Sequence, residues 1–150
     1  TGVREAEAVA LDVADLRNSL SGYPALRVRK GKGSKQRLIP YGKYESLVMG
    51  AVGEYHAHAQ ISVGAVFRGV KRNGESRNSR LGISSVGYIL NQYRLPDVPH
   101  FSPHDLRRTY ARLMHSQGVP VEGIKANMGH TSIQTTWHYI GLADVENRVP

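Results

Sequence analysis

The sequence predicts an α+β fold, mainly α-helical, with one small antiparallel β-sheet. Two observations lead there. Residues 24–40 carry apolar side chains in alternation on either side of a glycine-bearing, basic tip, the signature of a β-hairpin. The longer stretches Lys43 to His58, Ser102 to Gly118 and Pro120 to Met128 instead repeat their apolar residues at helical spacing.

Taken in order, Thr1-Gly2-Val3-Arg4 reads as a turn that enters an alanine-rich helix, with Arg4 and Glu7 on one face. A start on a turn, with no leading element, is expected of a segment of a longer polypeptide. From Tyr23 the period changes: Leu26 and Val28 alternate with charged neighbours, K-G-K-G-S-K intervenes, and Leu38 and Ile39 precede Pro40. This ribbon carries Arg27, Arg29, Lys30, Lys32, Lys35 and Arg37. Such a density of cations suits a phosphate backbone; it equally suits an edge strand blunted against aggregation. Lys43 to His58 is expected as a helix with Leu47, Val48, Ala51, Val52 and Tyr55 on its apolar side. Ala65-Val66-Phe67 reads as a short buried strand, Arg68 to Arg80 as a polar loop facing DNA, and Ser84 or Ser85 as the cap of a further helix.

The chain of 150 residues is about one domain in size. Its net charge of +8 points to a polyanionic partner, most simply nucleic acid. With no cysteine, disulfides and thiolate metal sites are excluded. No apolar run approaches the roughly 18 residues of a membrane span, and a cytoplasmic location is expected.

Ser102 to Ile140 carries the chemistry. Ser102 is placed to cap a helix, Pro103 suits its first position, and Asp105 completes a capping box. Leu106, Tyr110, Leu113 and Met114 are expected to face the core, and Gly118 to stop the helix. His104 and Arg107 then stand side by side on its first turn, where the helix dipole favours an anion. A second short helix ends at Gly129 with His130 directly after it, and a third, from near Ser132, carries Tyr139. Taken singly, a His-x-x-Arg pair is more often a solvated face, and a helical tyrosine more often core. Tyr110 is expected in the core and Tyr23, Tyr41, Tyr44, Tyr55, Tyr88 and Tyr93 as packing residues, with His56 and His58 at the surface.

Together these stretches resemble the catalytic domain of the tyrosine recombinases, the phage-integrase type of site-specific DNA recombinase. T-G-V-R-E-A-E is similar to that family's first box, which makes Arg4 a catalytic arginine and Glu7 its supporting acid. K-G-K-G-S-K-Q-R-L-I-P-Y resembles its hairpin, with Lys32 the catalytic lysine. H-D-L-R-R-T is similar to the second box and gives His104 and Arg107; M-G-H-T-S-I-Q-T-T-W-H-Y resembles the third and gives His130 and the nucleophile Tyr139. The motifs stand in the family's order. Met128 replaces a more usual leucine, a conservative change. The family's amino-terminal DNA-clamping domain has no counterpart here, so residues 1–150 are expected as a catalytic domain truncated on that side.

The resemblance implies cleavage of double-stranded DNA through a 3′-phosphotyrosyl link, without cofactor or metal, by a protein that acts as a homo-oligomer, a tetramer on DNA. A phenol of ordinary pKa, near 10, is ionised only about one part in a thousand at pH 7, so the nucleophile needs help. By resemblance, Arg4 and Arg107 would clamp the non-bridging oxygens, where charge grows in the pentacoordinate state. His104 and His130 would donate hydrogen bonds or move the tyrosine proton, and Lys32 would protonate the departing 5′-oxygen. Arg29, Lys30, Lys35, Arg37 and Arg108 are expected to contact the DNA backbone. A DNA-binding module without catalysis and a type IB topoisomerase-like relaxation remain as alternatives.

Overall fold

The computed structural model describes residues 1–29, 36–93 and 100–141. Its described part is mainly helical, with small antiparallel sheets at the amino-terminal side. Helix α1 (Glu5–Ala10) is followed by a 3-10 turn at Val13–Asp15 and a three-stranded sheet, β1 (Asn18–Leu20), β2 (Tyr23–Val28) and β3 (Arg37–Pro40), in that spatial order. The β2–β3 pair is the expected hairpin, in register Leu26 to Ile39. Strand β1 is an addition. It turns into β2 through Ser21-Gly22, both at positive φ, which is the backbone of a tight primed turn. The tip residues between the β2–β3 arms, Lys30, Lys32 and Lys35 among them, lie outside the described residues.

Helix α2 (Glu45–Ala59) occupies nearly the expected span, although Leu47 and Ala51 are exposed and Val48, Met49 and Val52 are the residues packed against the core. Val66 is fully buried, but Ala65 forms only an isolated bridge to Asp12 and no strand. Residues 68–80 are not the loop their polarity suggests. They form a hairpin of β4 (Arg68–Val70) and β5 (Ser76–Arg80), turned at Asn73-Gly74. An Asn-Gly pair is a hairpin signal that outweighs composition. The ribbon is tied down by Arg80, which donates to the carbonyls of Val9 and Leu11 and to Asp12 Oδ1. Helix α3 (Ile83–Gln92) starts at Gly82, slightly before the serines expected to cap it.

Helices α4 (Pro103–Ser116), α5 (Val121–Met128) and α6 (Ile133–Ile140) complete the described chain. Ser102 caps α4 as expected: its hydroxyl accepts from the Asp105 amide while Asp105 accepts from the Ser102 amide. The buried stripe of α4 is Arg107 and Ala111, with Tyr110 and Met114 half-buried. Leu106 and Leu113 are 47% and 41% exposed, against expectation. A charged residue takes the leading inward position, so hydrophobicity alone places the inward face one residue, about 100°, off. Among the tyrosines, Tyr41 is buried, whereas Tyr23, Tyr88 and Tyr93 lie open to solvent rather than in packing positions.

Two apolar clusters result. One joins the three-stranded sheet, Leu11, Leu16 and Val66 to α2; the other gathers Ala111, Ile124, Met128, Tyr139 and Ile140 from α4, α5 and α6. Polar side chains span the boundary between them, and the candidate site lies there. Among the described residues no helix is long and apolar enough to cross a membrane.

Candidate active site

Arg4 is the residue that caps α1, and Glu7 sits in that helix's first turn. Glu7 Oε2 accepts from the Arg4 amide at 2.8 Å, and Oε1 accepts from Arg4 Nη1 at 3.0 Å. The other terminal nitrogen of Arg4 donates to the Gly129 carbonyl at 3.1 Å, which anchors the guanidinium to the end of α5. One carboxylate thus caps the helix and orients the arginine. Glu7 is buried, which by itself pushes its carboxyl pKa up; hydrogen bonds from Arg37 and Arg4 and the Arg37 charge outweigh burial and hold it below the usual range.

Arg107 approaches from α4. It is only 4% exposed and donates to the carbonyls of Gly2 and Met128. Gly2 has φ +63°, and a Cβ there would stand 2.2 Å from the Tyr110 ring, so only glycine delivers that carbonyl. Burial, with the Arg4 charge next, lowers the Arg107 pKa to about 10; the group remains cationic at neutral pH. Each guanidinium has five N–H donors, and backbone carbonyls take only some of them.

His130 follows the left-handed cap Gly129, and its Nδ1 lies 3.0 Å from Thr136 Oγ1 in α6. Burial, then the charges of Arg107, Arg4 and Arg37, lower its pKa to about 4. The imidazole is therefore neutral at physiological pH. When Nδ1 accepts the threonine hydrogen, Nε2 carries the ring proton and is a donor. This depression also acts on stability. Between about pH 6.5 and about pH 4 the unfolded chain binds a proton that folded His130 resists, so folding is expected to weaken as pH falls through that window. Melting temperatures at pH 7 and pH 5 check this: His130→Asn should lose less on acidification than the unaltered chain, and an equal loss would refute the assignment.

Tyr139, on α6, is 7% exposed, and its hydroxyl is hydrogen-bonded to Nε2 of His104 on the first turn of α4. Its ring meets His104 and His130 edge-on, with centroids 5.2 and 5.0 Å away. The structure thus brings Arg4, His104, Arg107, His130 and Tyr139 around one cleft of about 500 Å³, with Thr135 and Glu5 also on its wall. Counting Arg4, Arg107 and Arg37 against Glu7 and Glu5, the neighbourhood carries a surplus of one positive charge.

The expected DNA contacts divide differently. Arg37 does not face solvent: it grips Glu7 with both terminal nitrogens, at 2.9 and 2.7 Å, and gives Nε to the Asn127 carbonyl at 2.8 Å. Arg29 is held by Asp12, Asp15 and the Ala10 carbonyl because buried Asp15 needs cationic partners. Arg108 is half-buried, and its Nε has no hydrogen-bond partner among the described residues. Lys30, Lys32 and Lys35 fall outside the described residues. Sequence reasoning missed Thr136, Asn127 and the inward role of Arg37. Thr136 sits three residues before Tyr139, one helical turn back, which is the available signal.

Comparison with known proteins follows the same lines. Residues 1–146 match the phage integrase family. The tyrosine recombinase XerC of Staphylococcus haemolyticus is 29% identical over 153 residues, covering 99% of this chain and 48% of that protein. XerC of Staphylococcus aureus is 30% identical over 152 residues, covering 99% of this chain and 47% of its own. The chain thus spans about half the length of the curated relatives it matches. Among solved structures, XerA recombinase superposes with a TM-score of 0.68 at 24% identity, over 99% of this chain and 50% of that one. The Tn1549 transposon integrase in complex with transposon right end DNA gives 0.58 at 19% identity, over 99% and 55%. With nearly its whole length inside the family's bounds and the same fold in these structures, the chain belongs to the phage integrase family.

Proposed function

We propose that the chain is the catalytic domain of a site-specific tyrosine recombinase that cuts and rejoins double-stranded DNA through a 3′-phosphotyrosyl intermediate. The observation that carries this reading is the Tyr139 hydroxyl on His104, in a cleft walled by two backbone-anchored guanidiniums and neutral His130. In the reaction Tyr139 Oη attacks phosphorus and its proton passes to His104 Nε2. The P–O5′ bond breaks as the P–O(Tyr) bond forms, and the leaving oxygen takes a proton from Lys32, a role assigned by resemblance. Arg4 and Arg107 bind the non-bridging oxygens as their charge grows. His130 Nε2–H adds a donor.

The family relatives named tyrosine recombinase support the reaction, and the Tn1549 integrase complex supports DNA as partner. Assembly as a homo-oligomer, a tetramer on DNA, and a cytoplasmic location complete the proposal. The test is covalent capture on a randomised library of nicked duplexes. A protein–DNA adduct resistant to denaturant supports the reading and reports the preferred sequence. Binding without adduct would indicate a non-catalytic module, and plasmid relaxation without strand exchange a topoisomerase-like enzyme.

Binding itself should be strongly salt-dependent. If about four phosphates are neutralised, affinity for duplex DNA falls roughly 100-fold between about 50 and 200 mM salt. Anisotropy titrations at several salt concentrations measure the slope, and a flat response would contradict phosphate-dominated contact.

A further inference from the structure

Arg37 is the feature that the proposed chemistry leaves unexplained. It begins β3, yet its side chain is 12% exposed and turns inward. All three guanidinium nitrogens are engaged: two on the Glu7 carboxylate, and Nε on the Asn127 carbonyl of α5. It therefore ties together the sheet, α1 and α5, the elements that carry the hairpin, Arg4 and the approach to His130. The fit is close. Gly129 stands at φ +63°, and a Cβ there would lie 3.0 Å from Arg37 Nη1. The Gly129 carbonyl is in turn the anchor of Arg4.

Charge gives this arrangement a second consequence. Glu7 touches both Arg4 and Arg37. Without Arg37, the Glu7 charge would be balanced by Arg4 alone, and the arginine facing the cleft would lose much of its attraction for an anion. With Arg37 present, Glu7 can orient Arg4 through hydrogen bonds while its charge is already neutralised.

We propose that Arg37 is a positioning residue: by neutralising and fixing Glu7 it holds the Arg4 guanidinium pointed at, and available to, the scissile phosphate. This rests on the recombinase reading for the identity of the phosphate. Its action on Arg4 and on anion affinity is independent of cleavage.

The test titrates the chain with inorganic phosphate while following the Arg4 side-chain nitrogen resonances by NMR, in the unaltered protein, Arg37→Gln, and Arg37→Gln combined with Glu7→Gln. Arg37→Gln is expected to weaken phosphate binding about tenfold and to average the Arg4 Nη signals through freer rotation. The double variant restores the charge balance, so phosphate affinity should recover most of that loss while the Arg4 signals stay averaged. On nicked duplex, both variants should form adduct about 100-fold more slowly, because a misaligned clamp costs rate even where it still binds. Unchanged phosphate affinity and Arg4 signals in Arg37→Gln would overturn the proposal. So would a double variant weaker than Arg37→Gln, since Arg37 would then act on the ligand directly. If Arg37→Gln does not fold, Arg37→Lys carries the test: it keeps the charge but cannot span Glu7 and Asn127, so affinity should hold while the Arg4 signals average. Loss of adduct in the unaltered chain would count against the recombinase reading alone, because the phosphate and NMR readouts stand without it.

Discussion

Tyr139→Phe is expected to remove the covalent protein–DNA adduct entirely while leaving duplex affinity within about twofold. Only the oxygen is lost, and the ring that packs with Ala111, Ile124 and Met128 stays. The deleted hydrogen bond to His104 is worth about 1 kcal/mol or less to folding, so the variant should melt close to the unaltered protein. Denaturing gels with a nicked duplex read the adduct, and anisotropy reads the binding. Adduct formed by the phenylalanine variant would mean that another nucleophile is at work. Tyr110, on α4, is a poor substitute: it takes a hydrogen bond from Asn127, and burial raises its pKa.

The same geometry makes the Tyr139 phenol structural as well as the proposed nucleophile. Tyr139 is a member of the second apolar cluster, so α6 is docked by the residue that would do the chemistry. Its hydroxyl emerges between two histidines of different character. His104 is exposed at the start of α4 and touches the phenol oxygen; His130 is half-buried, neutral, and steadied by Thr136. In the proposed reaction proton acceptance would fall to His104, which touches the phenol oxygen, and hydrogen-bond donation to His130.

How much of this was legible beforehand depended on the kind of signal. The α4 boundary could be read because Ser102, Pro103 and Asp105 act locally, through the backbone groups that a helix start leaves unsatisfied. The β2–β3 hairpin followed from alternation, although not its register. The β4–β5 hairpin was obscured because β5 is polar on both faces and β4 is only three residues long, so only Asn73-Gly74 marked it. The site residues stood out as motifs, but the bonds that aim them did not. Arg37 reaches Asn127 across 90 residues and Arg4 reaches Gly129 across 125, and no local pattern encodes such pairings. For the same reason Arg29 and Arg37 looked like surface cations: composition shows a positive charge, while only the fold shows Asp15 and Glu7 waiting beneath.

Arg107 joins those two kinds of information, and its removal should have the widest consequences. Arg107→Ala is expected to abolish cleavage, since in the proposed reaction Arg107 supplies half of the clamp on the pentacoordinate phosphate. It should also destabilise the fold. The side chain is 4% exposed, fills the inward face of α4, and satisfies the Gly2 and Met128 carbonyls, which would be left in a cavity without donors. A loss of about 2–4 kcal/mol follows, or a melting temperature lower by roughly 5–15 °C. Arg107→Lys separates the two effects. Its charge remains, but a single ammonium cannot hold two carbonyls on different segments and still present a planar fork to phosphate. It should therefore recover part of the stability and almost none of the adduct formation. Paired measurements of melting temperature and single-turnover adduct rate decide the matter. If lysine restored both together, Arg107 would be acting through charge and packing alone, and the anchored two-arginine clamp would be the wrong description of this cleft.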